Sequence, residues 1–398
     1  MTTERLAEIL EGVSRSDFLS EHYEQKLLVI RQRAKSRLEF GLNDFEDLLS
    51  LPGVRPLLRI VKEQNEDSNP AAVTESGHVN KQYLLGVVNR GYTLVLNDIH
   101  RLDARLQELA AELGWELGCY CAVNAYLTPA SSQALKPHFD SHDIFAIQCH
   151  GTKVWNVQSG PTELPTLSTH QPVLENVEQI AMTEIELRKG DVMYLPRGTV
   201  HYATTRGSSS LHLTIGLYPI EWREMIGAIV EESATSLHSL RRSVPIGKRR
   251  EGDMDLIKMT LQTISQQASE EELTRALARV EKSLLRRQPQ PMRGSLASTI
   301  QSLEQEENSS LNLRVKRCRE PVSVEMGPRG ARLEMAGFGF TIPLASQEMV
   351  RELLRDDEPF TVRDRVGTHD PIAQIVAETL ISRGILRIID TEEDIQKR

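Results

Sequence analysis

The apolar positions change period along the chain. Leu102, Leu106, Leu109, Ala110 and Leu113 keep the spacing of a helix packed on one face. From Cys119 the period drops to two. Strands are predicted near 120–127, 143–149, 152–158, 180–187, 191–195 and 209–217, with turn signals at His150-Gly151, Ser159-Gly160-Pro161, Lys189-Gly190 and Arg206-Gly207. Many short strands joined by glycine turns predict a barrel or a two-sheet jelly roll. Upstream, residues 1–60 read as mainly helical, with a strand at 25–30 and Asn43 as the N-cap of a helix over 44–49. The polar run 63–77 reads as an exposed loop. Helical periodicity returns over 222–302, in runs such as 225–240 and 270–285. The tail, 311–398, mixes short strands (331–334, 338–342, 385–389) with helices (346–354, 371–381). The expected class is α+β, with a strand-rich domain over 1–220, a helical region over 221–305 and a small module over 306–398.

Composition narrows this picture. A chain of 398 residues with 26% charged and 39% hydrophobic residues suits two or three soluble domains. No stretch approaches the roughly 18 apolar residues of a membrane helix. The start, Met-Thr-Thr-Glu-Arg, does not read as a secretory signal, so a cytoplasmic location is expected. Cys119, Cys121, Cys149 and Cys318 are too few for a disulfide framework and read as buried free thiols. A net charge of −9 argues against a chain coated in nucleic acid. Residues 311–398 hold 14 Lys+Arg and 15 Asp+Glu, not the basic face of a DNA reader. The clusters Arg241-Arg242, Lys248-Arg249-Arg250 and Arg286-Arg287 read as solvated helix ends and loops.

Candidate chemistry gathers in a few places. In Lys136-Pro137-His138-Phe139-Asp140, strand geometry would aim His138 and Asp140 into one cavity. The run 190–201, of the form Gly-Asp…Pro-x-Gly-x-x-His, ends a cupin-like hairpin in His201. Two histidines and one carboxylate make the facial triad of non-haem Fe(II) oxygenases, whose open positions take 2-oxoglutarate and dioxygen. Such a cosubstrate needs a cation for its far carboxylate. Lys153 is a candidate, although its neighbours Val154 and Trp155 leave its facing open and a surface lysine is the other reading. Near 209–217, Leu211, Leu213, Ile215 and Leu217 alternate with Ser210, His212, Thr214 and Gly216. One face is greasy; the other is small and polar, as a cavity wall requires. Asn124 and Tyr126 share a face, either as satisfied interior residues or as cavity lining.

These residues resemble the JmjC-type ribosomal oxygenases, cupin-fold hydroxylases of ribosomal proteins. The likeness runs in order through 124–129, Pro137-His138-Phe139-Asp140, Gly151-Thr152-Lys153-Val154-Trp155, Leu195-Pro196-Arg197-Gly198 with His201, and 210–214. Phe18 and 22–26 resemble the family's N-terminal segment. The resemblance implies a double-stranded β-helix (jelly-roll cupin) catalytic domain, a helical dimerisation region and a winged-helix-like C-terminal domain. It implies Fe(II) on His138, Asp140 and His201, Lys153 on the 2-oxoglutarate 5-carboxylate, and Asn124 and His212 lining the cosubstrate pocket. It implies a homodimer acting on a protein substrate such as a ribosomal protein, at arginine or histidine, with no DNA or membrane contact. His150 stands where arginine-hydroxylating kin tend to carry an aromatic residue near the substrate, while Gln133 looks closer to the histidine-hydroxylating branch. The insertion between the strands ending near 157 and starting near 180 is expected to shape the entrance. Competing readings are a hydroxylase of a free amino acid or peptide natural product, an N-methyl-lysine demethylase, and a non-catalytic cupin used for binding. The complete triad with Lys153 argues against the last.

Overall fold

A computed structural model describes residues 5–31, 39–158, 160, 163–166, 180–243, 253–292, 295–304, 310–318, 320–335, 338–343, 347–367 and 371–389. Its first part interleaves helices α1 (Arg5–Leu10), α2 (Arg15–Asp17), α3 (Leu42–Leu49), α4 (Lys81–Asn89) and α5 (Ala104–Leu117) with strands β1 (Leu28–Ile30), β2 (Leu58–Lys62), β3 (Asn65–Glu66) and β4 (Thr93–Leu96). Among the described residues of 1–60, helical turns outnumber strand residues, as expected, and the expected strand at 25–30 shortens to β1. The polar run 63–77 also carries structure, since it holds β3 and a 3-10 turn at Pro70–Ala72. Asn43 is not an N-cap. The helix starts two residues earlier than expected, at Leu42 behind Gly41, and Asp44 reaches back to accept the Gly41 N–H at 2.7 Å. Asp103 opens α5 by accepting from Arg105 and Leu106, and left-handed Gly118 closes it.

Six longer strands follow: β5 (Cys119–Thr128), β6 (Asp143–Gln158), β7 (Met182–Arg188), β8 (Val192–Leu195), β9 (His201–Thr204) and β10 (Ser210–Pro219). Every pairing among β1–β10 is antiparallel, in the order β1-β8-β6-β10-β5-β4-β2-β3, with β7 and β9 also on β6. The expected pair of strands at 143–149 and 152–158 is one strand. Residues 144–147 of β6 pair with β8, while 152–158 pair with β7 and 154–157 with β9, so one strand serves both walls of a jelly roll. It bends at Gly151, which is left-handed at φ +64°, and a Cβ there would lie 1.8 Å from the Ser209 carbonyl oxygen. Just before it, the β10 register shifts by one residue, with Leu211 opposite His150 and His212 opposite Gln148. Such a bulge swaps which residues face inward. Ile144 and Ala146 share an apolar cluster with Trp155 and Val157, whereas Phe145, Ile147 and Cys149 join the main core.

That main core lies between the outer face of the larger sheet and the N-terminal helices. Leu211, Leu213, Ile215 and Leu217 all enter it, along with Leu6 and Leu10 of α1 and Leu106, Leu109 and Leu113 of α5. The helical region comprises α6 (Trp222–Ser233), α7 (Asp253–Gln267), α8 (Glu270–Arg287) and α9 (Ser295–Glu304). The expected run 225–240 breaks at Ser233 and resumes as a 3-10 turn at His238–Arg241. The tail holds β11 (Arg314–Arg317), β12 (Val322–Gly327), β13 (Gly330–Met335), β14 (Phe338–Pro343), α10 (Gln347–Leu353), β15 (Phe360–Thr361), α11 (Val362–Val366), α12 (Pro371–Ser382) and β16 (Leu386–Ile388). Its two three-stranded sheets run β15-β11-β16 and β12-β13-β14, around a core of their own. All four cysteines are free, with Cys318 the least buried. Among the described residues, no helix is long and apolar enough to cross a membrane. Most of the 158–180 insertion and the Lys248-Arg249-Arg250 cluster lie outside the described residues.

Candidate functional site

His138 and Asp140 do not stand on a strand. They lie on an irregular segment joined to the start of β9 by an isolated bridge between His138 and His201. The two residues exchange both backbone bonds, at 3.1 and 2.8 Å. Residues so opposed in an antiparallel pair put their side chains on one side. The rings accordingly meet with centroids 4.4 Å apart. Asp140 is fixed by the same loop, since its carbonyl accepts from Gly198 N–H at 2.9 Å. His201 therefore opens a strand absent from the sequence reading.

The three side chains converge. Asp140 Oδ1 lies 3.9 Å from His138 Nε2, and Oδ2 lies 3.6 Å from His201 Nε2. One donor atom from each falls within 4.8 Å of the others. Each imidazole is oriented through its other nitrogen: His138 Nδ1 donates to the Lys136 carbonyl at 2.7 Å and His201 Nδ1 to the Thr199 carbonyl at 3.0 Å. That choice of tautomer leaves both Nε2 lone pairs facing Asp140, the arrangement a metal-ligating histidine needs. Burial pushes the Asp140 carboxyl up, but His201 and His138 pull it down further, and it ends below its ordinary value. Burial and the neighbouring His138 bring His201 down to about 4, so it is neutral near pH 7. A neutral His201, a second imidazole oriented alongside it and an ionised carboxylate fit a divalent transition metal.

The triad opens on a cavity of about 210 Å³. Lys153, whose facing the sequence left open, points into it and is only 2% exposed. Its Nζ donates to the Thr128 hydroxyl at 2.7 Å, and burial pushes it down to about 7. His212 and Asn124 reach the same cavity from neighbouring strands, β10 and β5. Register explains why: His212 stands opposite Tyr126, and Thr214 opposite Asn124. The His212 and Tyr126 rings stack at 4.9 Å and 6°. Asn124 Oδ1 accepts from the Asp98 N–H at 2.9 Å. Burial and the Lys153 charge hold His212 well below its ordinary pKa. Among the described residues, the buried His212 Nδ1 and Trp155 Nε1 atoms have no hydrogen-bond partner, an environment that suits a polar guest.

Other residues in this cavity escaped the sequence reading. Arg59 arrives from β2 and Asn97 from the end of β4. His142 also lines it, stacked on Tyr218 at 4.4 Å. Thr128 was hidden at the end of a strand, where only its pairing to Lys153 reveals it. Gln133 and His150 lie outside the residues lining this cavity. Gln133 instead donates to the Leu135 carbonyl and bridges to Thr204, while His150 sits at the bend of β6.

Residues 95–225 match the family model described as the JmjC domain. A Caenorhabditis briggsae protein named bifunctional lysine-specific demethylase and histidyl-hydroxylase NO66 is 28% identical over 58% of this chain and 31% of its own length. The Drosophila sechellia protein of that name is 31% identical over 40% of this chain and 26% of its own length. The chain thus spans about a third or less of these relatives. Among solved structures, the Escherichia coli ribosomal oxygenase YcfD matches at a TM-score of 0.54 and 14% identity, over 95% of this chain and 98% of that one. A form of it in complex with cobalt and 2-oxoglutarate matches at 0.51 and 14%, over 95% and 99%. At that identity the likeness is one of fold.

Proposed function

We propose, from the premise that this chain carries a JmjC domain, that it is an Fe(II)- and 2-oxoglutarate-dependent oxygenase hydroxylating a histidine or arginine side chain of a protein such as a ribosomal protein. The observation that carries this reading is the set of His138, Asp140 and His201, with both Nδ1 atoms tied to backbone carbonyls, in one cavity with buried Lys153. Iron held there would supply dioxygen activation coupled to oxidative decarboxylation of 2-oxoglutarate. The chain's own part is position and shelter. His138 and His201 offer Nε2, and Asp140 offers a carboxylate. Lys153 meets the far carboxylate of the cosubstrate, flanked by Asn124 and His212. Ile144, Trp155 and Ala203 keep the chamber partly apolar and limit water.

The names of the relatives support a protein substrate, and the cobalt and 2-oxoglutarate of the E. coli structure support the cofactor pair. The purified chain is expected to convert 2-oxoglutarate to succinate with Fe(II), and His138→Ala to abolish it. Ribosomal proteins from cells with the gene should outweigh those from cells without it by one oxygen atom. Turnover surviving in His138→Ala would sink the proposal. Demethylation of N-methyl-lysine, present in the relatives' name, uses the same centre and would be marked by formaldehyde release. At the scale of the chain the reading is a cytoplasmic homodimer. It has a catalytic domain at 1–220, a dimerisation region at 221–305 and a winged-helix-like protein-contact module at 306–398, with no direct DNA contact.

A further inference from the structure

The hairpin from β2 to β3 turns through Glu63 and Gln64, with Lys62 opposite Asn65 and Val61 opposite Glu66. Both turn residues are left-handed, at φ +49° and +69°. A two-residue turn with both φ positive suits the hairpin twist, and Asn-Gly is its usual occupant. Glutamate and glutamine enter this region at a cost. A cost kept where glycine would remove it points to work for a side chain.

Gln64 has such work. Its Oε1 accepts the Lys136 N–H at 3.1 Å. The carbonyl of that same residue accepts from His138 Nδ1 at 2.7 Å. Only Lys136 stands between the Gln64 amide and a histidine of the triad. The turn also grips the chain leading there: Glu63 N–H donates to Gln133 O at 3.0 Å and Gln64 N–H to Ala134 O at 2.8 Å. Pro137 follows Lys136 and has no N–H with which to anchor itself. The direction of the Lys136 carbonyl, and with it the His138 ring, thus depends on the bond from Gln64.

We infer that Gln64 is a positioning residue for the metal centre, acting on His138 through Lys136, and that its strained backbone is retained for this side-chain contact. The inference rests on His138 being a metal ligand. It makes two effects of one substitution run in opposite directions. Gln64→Gly relieves the left-handed backbone and deletes the acceptor.

The test measures Mn(II) affinity of the full chain, read from the paramagnetic resonance of the free ion, and the thermal midpoint of the metal-free chain. Gln64→Gly is expected to hold or raise the midpoint while weakening Mn(II) binding roughly 3- to 10-fold, less than the 10- to 100-fold typical when a ligand's direct partner is lost. Gln64→Glu keeps an acceptor and is expected to retain wild-type affinity. Glu63→Gly is expected to raise the midpoint with affinity unchanged. Unaltered affinity in Gln64→Gly overturns the inference, as does a joint fall of affinity and midpoint, or an affinity loss in Glu63→Gly. Wild type that fails to bind Mn(II), or binds it equally well as His138→Ala, overturns the metal-centre reading and this inference with it.

Discussion

Lys153 shows how burial turns a common side chain into a sensor of its guest. In the free cavity its ammonium has a hydroxyl for company, and burial holds it at about 7. An unfolded lysine titrates near roughly 10.4. Between those values the unfolded chain holds a proton that the folded chain has shed, so Lys153 makes stability rise with pH across that window. Asp143 works oppositely at lower pH. Burial lifts it to about 6, so the folded chain keeps a proton that the unfolded chain releases, and stability falls from about pH 4 to 6. A dicarboxylate at Lys153 favours the charged form, so binding above pH 7 takes up a proton and weakens as pH rises. Calorimetric titration of 2-oxoglutarate at pH 8, in buffers of unlike protonation enthalpy, is expected to show that uptake. Lys153→Gln should abolish it and weaken binding roughly tenfold or more, as for a lost charge-assisted contact. Equal heats in all buffers would refute the assignment. The residue types at this site were legible because His-x-Asp, a distant histidine and Gly-x-Lys keep fixed spacings. Thr128, Arg59 and Asn97 were not, because only folding brings them beside the cavity.

At the scale of elements, the period-two pattern located most strands, and β10 was read down to its two faces. It could not decide Lys153, since the bulge near Cys149 and the bend at Gly151 reverse the facing partway along β6. Alternation is a local signal, and a one-residue shift leaves no trace in it. The strand geometry invoked for His138 and Asp140 was wrong for a related reason: a bridge to His201 does the aiming. The loop between β8 and β9 deserves weight accordingly. Gly198 is left-handed at φ +77°, and a Cβ there would lie 2.0 Å from the Glu163 carbonyl oxygen. Its N–H holds Asp140, and His201 follows three residues later. Gly198→Ala is expected to cost about 2–4 kcal/mol through backbone strain and overpacking. It should also weaken Mn(II) binding by about tenfold or more, because both ends of the triad ride on this loop. Thermal melts with and without Mn(II) would show a smaller metal-induced shift in the variant; an unchanged shift would place the loop outside the centre's support.

For the whole molecule, the metal loop and the helical region meet at one buried guanidinium. Arg197 pairs with Glu24 at 2.6 Å and with Glu221, at the N-cap of α6, at 3.1 Å. Immediately beyond that cap, α6 leaves Trp222 82% exposed and Ile226 half-exposed, four residues apart on one face. On α8, Leu273 and Leu277 repeat the spacing. Helices α6 and α8 pack on each other, with Arg275 paired to Glu232 between them. The two pairs lie toward opposite ends of the helix pair, since Glu224 meets Arg287 and Glu232 meets Arg275, and they are candidate contacts for the proposed dimer. A tryptophan buried in a protein contact commonly contributes about 2 kcal/mol or more, about a 30-fold change in dissociation constant. Sedimentation velocity at micromolar concentration is expected to give a dimer for the full chain, and a concentration-dependent shift toward monomer for Trp222→Ala and Leu277→Glu. Because Glu221 caps α6 and binds Arg197, loss of the dimer should also loosen the metal loop, lowering Mn(II) affinity without touching a ligand. A monomeric wild-type chain, or variants that dissociate with Mn(II) affinity unchanged, would separate the helical region from the site of His138, Asp140 and His201.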